Sequence, residues 1–171
     1  MLLFFGCSKK SSDNQVTTSS DDSLTTYMSK ANDFGSTTKA RQEYIQKAFS
    51  IVINQENDSL QRVNLFRVAN RYYNLNDWKK YQEITKIVLE KSLSSKDTLS
   101  TAKAYSYLGD YYGAQGVSDT AFLSYFKAEK IYLQRNDNYN LARTRLNKAL
   151  LQYKKVIILG AKYLLLKLCG C

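Results

Sequence analysis

The stretch Tyr105-Ser-Tyr-Leu108-Gly109-Asp-Tyr-Tyr112, followed by Ala121-x3-Tyr125 and Ala128, decides the fold. Its spacing is that of the helical-hairpin signature W-x2-L-G-x2-Y…A-x3-F, with Tyr in place of Trp and Phe. The small residues Gly109, Ala121 and Ala128 stand where two antiparallel helices must cross closely. Tyr105, Leu108, Tyr112 and Tyr125 are large enough to fill the space between this hairpin and the next. Such a unit cannot bury its apolar face alone, so it implies neighbours. A stacked array in turn implies binding or scaffolding as the class of function.

The neighbours are present. Shifted by about forty residues, Ala128 falls on Val88 and Ala48, Tyr125 on Thr85 and Ile45, and Tyr132 on Ser92 and Val52. The pair Tyr72-Tyr73 lies 39 residues before Tyr111-Tyr112. The links repeat as well: Asn57-Asp58-Ser59-Leu60, Lys96-Asp97-Thr98-Leu99 and Asn136-Asp137-Asn138-Tyr139 each place an N-cap residue before an apolar-periodic stretch. The pattern predicts helices at roughly 37–54, 59–75, 78–93, 98–115, 119–134 and 140–155, with turns at Asn76-Asp77 and Gly116-Val-Ser-Asp119. Nothing reads as a strand of period two.

The region from about Arg41 to Lys155 resembles the tetratricopeptide-repeat region of flavobacterial envelope proteins, in its longer, forty-residue form. The resemblance implies an all-α fold, with antiparallel helical hairpins stacked as a short right-handed solenoid. It further implies the extracytoplasmic input region of a sensor histidine kinase or membrane-bound regulator. The alternative is a standalone lipoprotein scaffold for an envelope complex. The chain departs from the family pattern in having no Pro, in placing Trp78 in a turn, and in a first hairpin with Tyr81, Thr85 and Val88 where small-aromatic-small is expected.

In that family the first helix of each hairpin lines a concave groove. The corresponding positions here are Asn64, Arg67, Arg71 and Asn74, then Lys103, Ser106 and Asp110, then about Thr144 and Asn147. Asn side chains can hold an extended peptide backbone, and Arg and Lys can pair a carboxylate, so the groove suits a peptide with an acidic group or free C-terminus. The plainer reading of the same residues is a solvated polar helix face.

Residues 1–36 are expected to hold the end of a lipoprotein-type signal and a tether. Leu2-Leu3-Phe4-Phe5-Gly6-Cys7-Ser8 resembles a lipobox, with Cys7 the residue to be acylated. A working signal needs a longer apolar region than the four residues between Met1 and Gly6. The readings are an upstream start, a remnant that exports nothing, or an apolar N-terminus with an incidental Cys. Ser11–Ser23, rich in Ser, Thr, Asp and Asn, reads as a flexible tether. Localisation follows the signal: membrane-anchored and facing the periplasm or exterior if it works, cytoplasmic otherwise.

At the other end, residues 156–171 do not continue the repeat. After Lys155 relatives would read Gly-Asp-Tyr, encoded by GGT-GAT-TAT; shifted by one base the same nucleotides begin Val-Ile-Ile, as in Val156-Ile157-Ile158. A frameshifted tail is one reading, an irregular capping segment another, and a membrane-associating end a third. As a span it is too short, and Lys162 and Lys167 interrupt it. An array ending there exposes Leu146, Ala149, Leu150 and Tyr153, unless Ile157–Leu166 folds over them as a lid.

Chemistry is sparse. The chain has no His, which removes the commonest general base and most zinc sites, and no Gly-rich phosphate loop. Cys169 and Cys171 are too close in sequence to staple a fold. Neither catalytic residues, a metal site nor a cofactor is expected, and the partner is a protein or peptide rather than a small-molecule substrate. A net charge of +10 raises nucleic acid as a partner, but the Lys and Arg are spread over every helix and the Tyr follow core spacing. A solvated basic surface, or attraction to anionic lipid or polysaccharide, is the better reading. A mean hydropathy of −0.43 argues against a polytopic membrane protein.

Overall fold

A computed structural model describes the backbone of residues 15–168 and their side chains apart from 15–21, 164–166 and 168. Cys7, Cys169 and Cys171 lie outside the described residues. Seven helices occupy that range: α1 Gln15–Lys30, α2 Thr38–Ile53, α3 Ser59–Asn74, α4 Trp78–Ser94, α5 Thr98–Ala114, α6 Ser118–Gln134 and α7 Asn138–Leu168.

One local device, used four times, sets the spacing. Asn76, Lys96, Gly116 and Asn136 all adopt left-handed backbone (φ 56°, 56°, 75° and 54°) and stand twenty residues apart. The N–H of the residue after each reaches back five residues, Asp77 to Tyr72, Asp97 to Ser92, Val117 to Tyr112 and Asp137 to Tyr132, at 2.8–3.0 Å. This is the Schellman closure of a helix C-terminus, which satisfies carbonyls the helix leaves unpaired. The same residue then opens the next helix. Asp77, Asp97 and Asp137 accept the backbone N–H of Lys80, Ser100 and Asn140, as Asp58 does that of Gln61 at the start of α3. Only Val117 breaks the pattern, and α6 begins without a side-chain cap. A helix of fixed length and a turn of fixed geometry thus reverse the chain every twenty residues, and two such steps make the forty-residue repeat.

The chain divides after Ile51 into two compact units. In the first, Leu24, Met28 and Ala31 are buried along one side of α1 and its end. Tyr27 stacks on Tyr44 at 6.3 Å, and Arg41 donates from Nε to the Ala31 carbonyl at 3.0 Å. Of the expected tether at Ser11–Ser23, residues 11–14 lie outside the described residues, and the remainder differs from expectation in being helical from Gln15. A spacing of four and then three residues between Leu24, Met28 and Ala31 gives this polar segment a helical apolar face.

In the second unit each helix from α3 onward packs on its sequence neighbours, α3 on α4, α4 on α5, α5 on α6 and α6 on α7, as stacked helical hairpins do. The closest crossing is α5 on α6. A Cβ built on Gly109 would lie 2.5 Å from the Tyr125 ring, so only glycine admits that ring here. Ala121 and Ala128 are fully buried, Leu108 and Tyr125 nearly so, and the half-buried Tyr105 packs on the cluster of Ala102, Ala128, Tyr132 and Leu141. Tyr112 is half-buried with its ring edge-on to Tyr111. Gly109 thus lies at a close helix crossing as its spacing implied, whereas Tyr125, expected between hairpins, packs inside this one.

Polar contacts join one repeat to the next. Arg62 of α3 is buried and pairs with the capping Asp97 at 2.9 Å, while also donating to the Asn57 carbonyl and side chain. Burial pushes the Asp97 carboxyl up, but hydrogen bonds from Ser100 and Arg62 outweigh it and hold the group below the usual range. Asn57 donates to the Lys91 carbonyl, and Arg135 to Thr98. Fully buried Gln61 donates to the carbonyls of Val52, Ile53 and Gln55, closing the C-terminus of α2.

The last helix shows the largest difference from expectation. α7 continues without a break through Lys155 to Leu168, so Ile157–Leu166 is not a lid. Leu146, Ala149, Leu150 and Tyr153 are exposed, as an array ending on this helix leaves them.

Candidate functional site

The residue that organises the site is Asp110, on α5. It is mostly buried, and its Oδ1 accepts from the Tyr125 hydroxyl at 2.6 Å and from Asn147 Nδ2 at 3.2 Å. Tyr81 and Arg143 nearby favour its charged form. Burial nevertheless dominates and raises the Asp110 carboxyl above its ordinary value. The same burial, reinforced by Asp110, pushes the Tyr81 and Tyr125 hydroxyls far up, so both stay protonated as donors.

Around this carboxylate opens a cleft of about 560 Å³. Its wall is aromatic. Tyr73 meets Trp78 edge-on at 5.1 Å and Tyr81 at 5.3 Å, and Tyr81 stacks on Tyr107 at 5.6 Å. Tyr81 and Tyr107 are buried as the base, whereas Tyr73 is 42 % exposed and Trp78 half-buried. The opposite wall comes from α7, with Arg143 and Asn147 towards one end and Leu150, Leu151 and Lys154 towards the other. Three first helices of successive hairpins, α3, α5 and α7, thus share one cleft with Trp78 and Tyr81 of α4 and Tyr125 of α6.

Of the groove positions expected from the family pattern, the structure brings two together here, Asp110 and Asn147. The others lie elsewhere. Asn64 is buried and accepts from Arg67 Nη1 at 3.1 Å, leaving Arg67 exposed on the flank of α3. Arg71 is half-buried, Asn74 exposed at the end of α3, and Ser106 buried within α5. Lys103 lies over the Phe66 ring at 4.5 Å, with burial and Arg143 lowering its pKa. Thr144 is buried and donates to the Asn140 carbonyl. The reason is register. Asn64, Arg67, Lys103 and Ser106 fall earlier in their helices than the lining residues Asn70, Tyr73 and Tyr107 to Gly113, whereas Arg71 and Asn74 lie level with Asn70 and Tyr73 but on another face of α3.

No protein-family profile, no curated protein and no solved structure matches this chain. The functional reading therefore rests on the chain's own residues. Among the described residues no cluster of His, Cys, Asp and Glu could hold a metal ion, and no helix is long and apolar enough to cross a membrane. Tyr73, Trp78, Tyr81, Tyr107, Arg143, Leu150, Leu151 and Lys154 were not singled out as groove residues from sequence. Trp78 carried the clearest hint, as the chain's single Trp, beside a turn and outside the repeat's own Trp position.

Proposed function

We propose that this protein is a non-catalytic peptide-binding module whose ligand lies in the cleft across α3, α5 and α7. In the fuller form of the proposal it is the sensory input part of a larger envelope signalling protein, anchored through Cys7. One observation carries the reading: a single cleft combines the rings of exposed Tyr73 and half-buried Trp78, hydrogen-bonding groups at Asn70 and Asn147, and the cations Arg143 and Lys154 at one wall. Rings supply contact area at small entropic cost, amides pair with an extended backbone, and Arg143 and Lys154 favour a ligand carboxylate. The acidic or C-terminal group that the sequence suggested is retained, with Arg143 and Lys154 as its partners in place of Arg67 and Arg71.

Trp78 is the only Trp, so its fluorescence reports occupancy of the cleft directly. A library of short peptides, titrated against the full chain, is expected to yield saturable Trp78 responses from members with acidic or free C-terminal carboxylates. Arg143→Glu weakens those by about tenfold or more, whereas Arg67→Glu leaves them unchanged. No saturable response from any peptide, or equal loss from both substitutions, refutes the cleft. Anchoring is tested separately by fatty-acid labelling of the chain with its natural upstream sequence, which Cys7→Ser must abolish.

A further inference from the structure

From Asn138 to Cys171 the chain has no Asp or Glu, while α7 carries Arg143, Arg145, Lys148, Lys154, Lys155, Lys162 and Lys167. Arg145 and Lys148 pair with Glu129 of α6, and Lys155 with Asp119. Beyond those pairs Ile158 and Leu159 still border Gly113, Gly116 and Ser118 on one side, while the helix is otherwise exposed. Val156 is 67 % exposed, Ile157 50 %, Ile158 55 %, Leu159 57 % and Tyr163 67 %, with Lys154, Lys162 and Lys167 exposed among them. Contiguous exposed apolar surface of this kind marks an interaction site.

Charge selects the occupant. A second α7 brought alongside would set one wholly basic helix against another, within a chain whose net charge is +10 as a whole. An anionic bilayer surface satisfies both features, the apolar side chains entering the acyl boundary and the lysines reaching the headgroups. Length agrees. The stretch 156–168 extends about 20 Å as a helix, short of the roughly 30 Å hydrocarbon core and suited to lying along the interface. Tyr163 is the amphipathic type enriched at that depth. We propose that the 156–168 segment of α7 docks the protein onto an anionic lipid surface. The contact is independent of the peptide cleft and of any acyl group on Cys7.

The test is co-flotation of the full chain, carrying Cys7→Ser so that no acyl group contributes, with vesicles of phosphatidylcholine alone and of phosphatidylcholine with 30 % phosphatidylglycerol (roughly the charge density of an anionic leaflet). The expected result is strong partitioning onto the anionic vesicles, little onto neutral ones, and a fall with added salt. Ile157→Glu with Tyr163→Glu, both at positions exposed among the described residues, abolishes partitioning while circular dichroism and the melting temperature stay put. Lys162→Glu with Lys167→Glu reduces it by more than about tenfold. The proposal is overturned if anionic vesicles do not retain the protein, if neutral vesicles retain it equally, or if the apolar pair of substitutions leaves partitioning intact. It is likewise overturned if sedimentation shows a dimer that Ile157→Glu dissolves and vesicles do not compete with.

Discussion

Replacing Gly109 with Ala adds one methyl group at the crossing of α5 and α6, where the new Cβ meets Cδ1 and Cε1 of Tyr125 at 2.5 Å and Cζ at 2.8 Å. Two effects oppose each other. Ala is the better helix former by about 1 kcal/mol, and an exposed helix would gain that much. Against this, overpacking a close crossing costs about 1–3 kcal/mol. Tyr125 cannot move away without lengthening its 2.6 Å hydrogen bond to Asp110, and losing such a bond to a charged acceptor costs about 1.5–3 kcal/mol. The balance is a loss of about 3 kcal/mol, or roughly 10 °C in melting temperature for a chain of this size. Gly113→Ala is the internal control. Its Cβ would meet Leu151 at 3.7 Å and Ala121 at 4.0 Å, ordinary contacts, so the propensity gain survives and stability rises by about 0.5–1 kcal/mol. Urea unfolding followed by Trp78 fluorescence and by circular dichroism measures both variants. A Gly109→Ala protein as stable as the parent would refute the close crossing.

Gly116→Ala isolates the left-handed turn, because a Cβ there meets nothing within 4 Å while φ is +75°. The expected loss is about 1 kcal/mol in urea unfolding, from backbone strain alone. Arg62→Met removes the partner of Asp97, whose side chain is about one-fifth exposed, so about 2 kcal/mol is expected rather than the larger cost of a wholly buried pair. Asp97 lies below its ordinary value when folded, so its contribution is present above the normal carboxylate range and is lost as pH falls through the folded value. Stability curves against pH should therefore show a smaller acid loss in Arg62→Met than in the parent. Asp110 has the opposite sign. Its raised value means that ionisation costs the folded state stability as pH rises, so Asp110→Asn should gain stability at neutral pH, with the gain shrinking towards pH 3.

What the sequence by itself determined is local. Five of the six predicted helices match the structure to within about two residues at each end, and the sixth begins as expected but runs on, because their limits are decided within a few residues of chain. An Asp captures an N–H three residues on, and an Asn, Lys or Gly turns left-handed once every twenty residues. The close crossing at Gly109 was legible too, but that Tyr125 is the ring it admits was not. The Leu24, Met28 and Ala31 spacing of α1 was equally present but is faint among Ser, Thr and Asp, so composition pointed to a tether. Only the tertiary structure decided which polar residues share a cleft. That depends on how far each helix is rotated and advanced relative to the next, which keeps Asp110 and Asn147 in the lining but replaces Arg67 and Arg71 by Tyr73 and Arg143. Packing sets that rotation through contacts more than thirty residues apart, such as Arg62 to Asp97 and Asn147 to Asp110, which no local pattern encodes.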